Sequence, residues 1–206
     1  MTAGTRLVVA TTNPHKLREI RGIMDGTGVA LVGLEAFPPV AEPEETGATF
    51  AENARQKAVH YATALGTLVV AEDSGLEIDG LGGEPGVQSA RYGGPEAATY
   101  PQKFALVYAG LRAKGAMGSP ARFVCALAVA DGPSILFEAR GTIEGRVNDT
   151  PAGGGGFGYD PIFFYPPLGR TLAELSEHEK AVVSHRGQAF RQLRDHLASH
   201  PPWFRC

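Results

Sequence analysis

The chain has 206 residues, of which 43% are hydrophobic and 20% charged, and its formal net charge is −3. That size and balance suit one compact α/β domain, or two lobes sharing a sheet, with a substantial core. The slightly acidic total excludes a global positive field for nucleic acid or an anionic membrane, so cations that hold an anionic ligand must be local.

Cys125 and Cys206 are too few and too far apart for a disulfide framework or a metal knuckle. Cys125 lies in the apolar run FVCALAVA and reads as a small core residue. The N-terminal stretch MTAGTRLVVATTNPHK is unlike a signal peptide. No segment approaches the roughly 20 apolar residues that span a bilayer. The expectation is a soluble protein of the reducing cytoplasm.

In chain order, RLVVATT (6–12) reads as a buried strand. HKLREIRGIMD (15–25) follows as a helix with Leu17, Ile20, Ile23 and Met24 on one side. Asn13 and Pro14 supply an N-cap and a first-turn proline between them. PPVAEPEETG (38–47) is an acid-rich loop without periodicity. A capping box, Thr49 with Glu52, then opens a helix over 49–66 that closes on Gly66. Its apolar stripe runs through Phe50, Ala54, Ala58, Tyr61 and Leu65. At 100° per residue Lys57 falls near the centre of that stripe, with Asn53 flanking it.

A strand over 67–72, a turn at Ser74-Gly75 and a short strand near 76–79 come next, then a glycine-rich loop to 95. A helix from about 97 to 114 carries Phe104, Leu106, Val107 and Leu111. RFVCALAVAD and SILFEARGTIEGRV (122–131, 134–147) read as an antiparallel pair joined at Gly132-Pro133. PAGGGGFGYDPIFFYPP (151–167) is expected to be a mobile loop feeding an aromatic strand at 161–165. Residues 171–199 read as helical. There is no internal repeat, and no linker long enough to separate domains.

Four segments carry chemistry. In TTNPHK (11–16) a strand runs into a helix N-terminus, whose free N–H groups and positive pole suit phosphate. Lys16 is unfavourable at that pole unless an anion lies between them; the plain alternative is a capped helix with a solvated lysine. The acids Glu44, Glu45, Glu72 and Asp73 are the second. Hard divalent cations such as Mg2+ take one or two carboxylates plus water and substrate oxygens. Glu72 and Asp73 alternate in direction along a strand, and Asp73 is the expected inward group.

GGGGFGYD (153–160) is the third, because glycines permit close approach and Phe157 and Tyr159 offer flat surfaces for a base. In EKAVVSHRG (179–187) Lys180, His185 and Arg186 would splay around one continuous helix. They converge only if the helix breaks, with Ser184 capping a new one. Together these residues describe a site for a metal-bound polyphosphate attached to a base, either a nucleotide phosphohydrolase or a nucleotide sensor.

The segments TTNPHKLREI, EETGATFAENARQKA, AEDSGLEIDGLGGEPGVQSARY, GGGGFGYDPIFF and LAELSEHEKAVVSHRGQA, in this order, resemble the inosine triphosphate pyrophosphatase family, also termed dITP/XTP pyrophosphatases. The resemblance spans nearly the whole chain. It implies a long mixed β-sheet with flanking helices, as one domain over 1–206 of two lobes around a central cleft, in a homodimer. It implies Mg2+-dependent hydrolysis of ITP, dITP and XTP to the monophosphate and pyrophosphate.

By position it makes Thr11, Thr12, Asn13, Pro14, His15 and Lys16 the phosphate-side loop, with Lys57 near the phosphates. Glu44 and Asp73 become the metal-linked acids, and Asp73 also the proton acceptor. Ser74, Phe157, Gly158, Tyr159, Asp160, Lys180, His185 and Arg186 become substrate contacts. Bacterial relatives often have two aspartates where this chain has Glu72-Asp73, which leaves the part of Glu72 in metal binding open. The rival readings are a pyrophosphatase for other modified nucleotides and a non-catalytic nucleotide-binding regulator.

Overall fold

The computed structural model describes residues 6–199, so Cys206 lies outside the described residues. The elements are β1 (Arg6–Val9), α1 (Pro14–Ile23), β2 (Ala30–Gly33), α2 (Phe50–Leu65), β3 (Val69–Ile78), α3 (Tyr100–Ala113), β4 (Pro120–Asp131), β5 (Ser134–Val147), β6 (Phe163–Tyr165), β7 (Arg170–Thr171), α4 (Glu177–Val183) and α5 (His185–Ser199). The strands form one mixed sheet of seven in the order β2-β1-β3-β4-β5-β6-β7. β1 pairs in parallel with β2 and β3, whereas β5–β6 and β6–β7 are antiparallel. Only two residues, Gly132 and Pro133, join β4 to β5, a connection that only antiparallel neighbours allow. No helix among the described residues is long and apolar enough to cross a membrane.

The chain forms two compact units: 6–73, 125–141 and 185–199 in the first, 74–124 and 142–184 in the second. In the first, β1 is the central parallel strand, with Val8 opposite Val69 and Val9 opposite Val70. α2 buries Phe50, Asn53, Ala54, Lys57, Ala58, Tyr61 and Ala62, the spacing of one helical face. The Thr49–Glu52 capping box opens this helix, and Gly66 closes it at φ +59°, where a residue with a Cβ would be strained. In the second unit Ile78, Val107, Leu111, Ile143, Tyr159, Phe163 and Leu172 belong to one apolar cluster.

Three expectations are corrected. The turn at Ser74-Gly75 is absent, and β3 continues unbroken from Val69 to Ile78. A Cβ on Gly75 would lie 2.3 Å from Ser89 Oγ, so this glycine serves close packing within an extended strand. Leu106 is exposed, because the buried face of α3 runs through Lys103, Phe104, Val107, Tyr108 and Leu111. Residues 160–162 form a 3-10 turn before the short strand β6, and Arg170–Thr171 pair with β6 rather than beginning a helix.

The helix break at Ser184 is observed: its ψ of 154° ends α4, and α5 starts at His185. Gly141 of β5 meets the start of α5 so closely that a Cβ would lie 2.0 Å from the His185 carbonyl. Gly141→Ala is expected to destabilise the protein by about 1–3 kcal/mol through overpacking. Urea denaturation measures the loss.

Candidate active site

At the end of β1, Thr11 Oγ1 accepts from Asn13 N at 3.1 Å. The Asn13 side chain in turn accepts from the N–H groups of His15 (2.9 Å) and Lys16 (3.3 Å). Asn13 and Pro14 thus set the start of α1, as expected for a cap followed by a first-turn proline. Thr12, Pro14 and His15 are exposed. Lys16 turns back onto β3, where its ammonium lies 2.8 Å from Glu72 Oε1.

Glu72 and Asp73 are both buried, at 5% and 6% exposure. Strand alternation sends them to different partners. Glu72 receives Lys16 of α1 and, at 3.3 Å, Arg186 of α5. Arg186 also binds Glu19 of α1 at 2.6 Å. The Cys125 thiol lies 3.6 Å from the other Glu72 oxygen. Burial alone would push the Glu72 carboxyl up, but Arg186 and Lys16 outweigh it and hold the group well below the usual range.

Asp73 faces α2. Asn53 Nδ2 donates to Asp73 Oδ2 at 2.9 Å, and Lys57 Nζ lies 3.7 Å from Oδ1. Lys57 also contacts Glu45 and reaches the Glu72 carbonyl at 3.5 Å. Burial raises the Asp73 carboxyl above its ordinary value; Lys57 and Asn53 oppose this, while Glu45 and Glu72 add to it. Burial works against the Lys57 ammonium, yet Asp73 and Glu45 raise it overall, so it stays charged. A lysine and an asparagine on an apolar stripe are therefore the matched partners of a buried acid. Glu44 is exposed, and its neighbour Glu45 is the acid that turns toward Lys57.

In the second unit, Asp160 Oδ2 accepts from Lys180 Nζ at 2.6 Å and from Phe157 N at 2.7 Å. Asp160 and Lys180 are both buried. The Lys180 ammonium lies 4.5 Å from the Phe157 ring centroid, a cation–π geometry. Tyr159 is buried, and its hydroxyl donates to the Ser89 carbonyl at 3.0 Å. In the glycine run, Gly155 N donates to the Ala173 carbonyl at 2.9 Å. A Cβ on Gly153 would lie 2.4 Å from Ala173 C. On Gly156 it would lie 2.2 Å from Asp160 Oδ2, and φ there is +66°.

The first unit thus gathers Lys16, Lys57, Asp73 and Arg186, and the second gathers Phe157, Tyr159, Asp160 and Lys180. Lys180 and Arg186, close in sequence, serve separate clusters across the break at Ser184. Ser74 is half-buried directly after Asp73, and His185 is buried at the start of α5. Glu19, Glu45, Asn53 and Glu72 complete the first cluster. Three of these carried a sequence signal: Glu45 in an acid-rich loop, Asn53 beside an apolar face, and Glu72 ending an apolar run. Glu19 carried none, since an acid on an amphipathic helix reads as a solvated face.

The donors available to a cation are carboxylate oxygens, which suit a hard ion such as Mg2+. Asp73 is buried and its pKa is raised, and a divalent cation beside it would favour the ionised form. Among the described residues no three His, Cys, Asp or Glu side chains converge as a protein-only cage. A hard ion here would rely on one or two carboxylates, water and substrate oxygens.

Fold and site define an α/β protein with a buried charge network at the junction of β3, α1 and α2. The chain belongs to the Ham1 family, whose model matches residues 7–196. It is 46% identical to a dITP/XTP pyrophosphatase of an Exiguobacterium species over 91% of this chain and 94% of that protein. It is 45% identical to the dITP/XTP pyrophosphatase of Geobacter sulfurreducens over 94% of this chain and 96% of that one. The structure of a HAM1 protein from Coxiella burnetii superposes with a TM-score of 0.88 at 38% identity, covering 95% of this chain and all of that one.

Two outcomes test the clusters. Glu72→Gln leaves Lys16 and Arg186 without their shared anion and is expected to cost about 3–5 kcal/mol at neutral pH. Because folding lowers the Glu72 pKa, its stabilisation is fully present above the ordinary value of 4.5 and is lost only as pH falls through the lower folded value. Urea titrations of both proteins from neutral to acid pH check this sign. Gly156→Ala is expected to displace Asp160 and raise the KM for nucleotide more than it lowers kcat, read by steady-state kinetics.

Proposed function

We propose that this protein hydrolyses inosine and xanthosine triphosphates and their deoxy forms to the nucleoside monophosphate and pyrophosphate, removing them from the nucleotide pool. Relatives named dITP/XTP pyrophosphatase at 41–46% identity over nearly the full chain support this reading. The observation that carries it is Asp73, a buried carboxylate of raised pKa held between Asn53 and Lys57.

Asp73 orients a water and takes its proton while the water oxygen bonds to the attacked phosphorus. The phosphoanhydride bond breaks and its oxygen leaves with pyrophosphate. Lys16 and Lys57 stabilise the negative charge that develops on the phosphate oxygens. Such base catalysis is worth about 10²–10⁴-fold where it has been isolated. Asp73 and an acid of the Glu44-Glu45 pair would hold Mg2+, which when bound offsets phosphate charge and polarises the anhydride. Thr11, Thr12, Asn13, Pro14 and His15, with Lys16, form the phosphate-side loop, and Ser74 contacts substrate.

Phe157, Gly158, Tyr159 and Asp160, with Lys180 and His185, are assigned to the nucleoside end; Arg186, buried between Glu72 and Glu19, acts through those acids rather than by direct contact. Hypoxanthine and xanthine carry an oxygen at position 6, where adenine carries an amino group. Donors set for that oxygen would discriminate by about 10⁴–10⁵-fold. Guanine shares the oxygen and must be rejected at its 2-amino group. The family resemblance supports a cytoplasmic location and a homodimer; light scattering checks the dimer.

Pyrophosphate release is measured across ITP, XTP, dUTP, ATP and GTP, with and without Mg2+. ITP and XTP are expected to lead, with turnover lost in chelator. Preference for dUTP or ATP, or binding of ITP without turnover, would overturn the reading. Asp73→Asn is expected to keep the fold by circular dichroism and lose at least about 10²-fold in kcat. Glu44→Gln and Glu45→Gln, assayed for the Mg2+ concentration at half-maximal activity, identify the second metal acid.

A further inference from the structure

Tyr100, the first residue of α3, packs beside the Phe157–Tyr159 loop. Its ring stands edge-on to Tyr159, with centroids 5.3 Å apart at 87°. A Cβ built on Gly158 would lie 3.6 Å from the Tyr100 hydroxyl oxygen, so this hydroxyl borders the one position in the loop without a side chain. Tyr100 as a residue is 37% exposed.

The neighbouring tyrosines use their hydroxyls within the protein: Tyr159 on the Ser89 carbonyl, and Tyr92 on Glu84 at 3.1 Å. The Tyr100 hydroxyl has no hydrogen-bond partner among the described residues. Partial burial and the Asp160 charge both raise its pKa, so it stays protonated and keeps an O–H to donate. A half-exposed donor without a protein partner can serve a ligand oxygen at little desolvation cost.

We propose that Tyr100 is a further specificity residue, donating its phenolic O–H to an oxygen of the nucleoside part of a bound purine nucleotide while its ring braces Tyr159. The inference rests on the functional reading above, because it takes the Phe157–Asp160 loop to be the nucleoside end. It adds a residue outside that loop, carried on a different helix.

Tyr100→Phe removes the hydroxyl and keeps the ring. With the full-length enzyme and Mg2+, it is expected to raise both the KM for ITP and the inhibition constant of inosine 5′-monophosphate about 3- to 10-fold. It should leave kcat within about twofold and inhibition by inorganic pyrophosphate unchanged. Tyr100→Ala, which also removes the brace on Tyr159, should weaken the monophosphate further and still spare pyrophosphate. Unaltered monophosphate inhibition in Tyr100→Phe, or equal weakening of monophosphate and pyrophosphate, would overturn the role. A wild-type protein inactive on every purine triphosphate would overturn the functional reading and this inference with it. An active wild type with an unaltered Tyr100→Phe overturns the inference alone.

Discussion

A carboxylate can remain ionised in a protein interior only where cations and donors enter with it. Glu72 meets that condition through Lys16 and Arg186, drawn from two helices far apart in sequence. The pairing sets the geometry of the first unit around the end of β1. Lys16 is bent back to the strand, and Arg186 ties α5 to α1 through Glu19. The resemblance left the metal role of Glu72 open, and the structure makes it the anion on which Lys16 rests. Asp73, one residue on, faces α2 and has only Lys57 and Asn53 against strong burial. Adjacent acids on one strand thus have opposite pKa shifts. Its cations favour the ionised form of Glu72, while burial raises Asp73.

The second unit uses the same physics for a different purpose. Asp160 is buried and shared by the Lys180 ammonium and the Phe157 N–H. One carboxylate therefore fixes both an aromatic ring and the cation on its face. The glycines around it serve contact rather than slack: Gly156 makes room for the Asp160 side chain, and Gly153 and Gly155 lie against the backbone of Ala173. A surface set before a ligand arrives loses less ordering entropy when the ligand binds.

Much of this was legible along the chain. The Asn13-Pro14 helix start, the Thr49–Glu52 box, the Gly66 stop and the break at Ser184 are local capping events, governed by residues within a turn of one another. The anomalous position of Lys57 on the α2 stripe could be read from 3.6-residue periodicity alone. Where the reading failed, local signals had stood in for long-range ones. Ser74-Gly75 looks like a turn by composition, yet Ser89 packs against Gly75 and the strand runs on. The contact of Glu45 with Lys57 is set by loop direction, which periodicity does not report.

By itself the sequence determined the α/β class, most element boundaries and the set of charged residues available for chemistry, because these depend on side-chain period, capping and composition. Only the tertiary structure decided which charge meets which. It paired Lys16 and Arg186 with Glu72, Lys57 with Asp73, and Lys180 with Asp160. Those pairings span up to 114 positions of chain. They follow from the burial cost of each ion against the cations the fold delivers to it, a balance no local pattern contains.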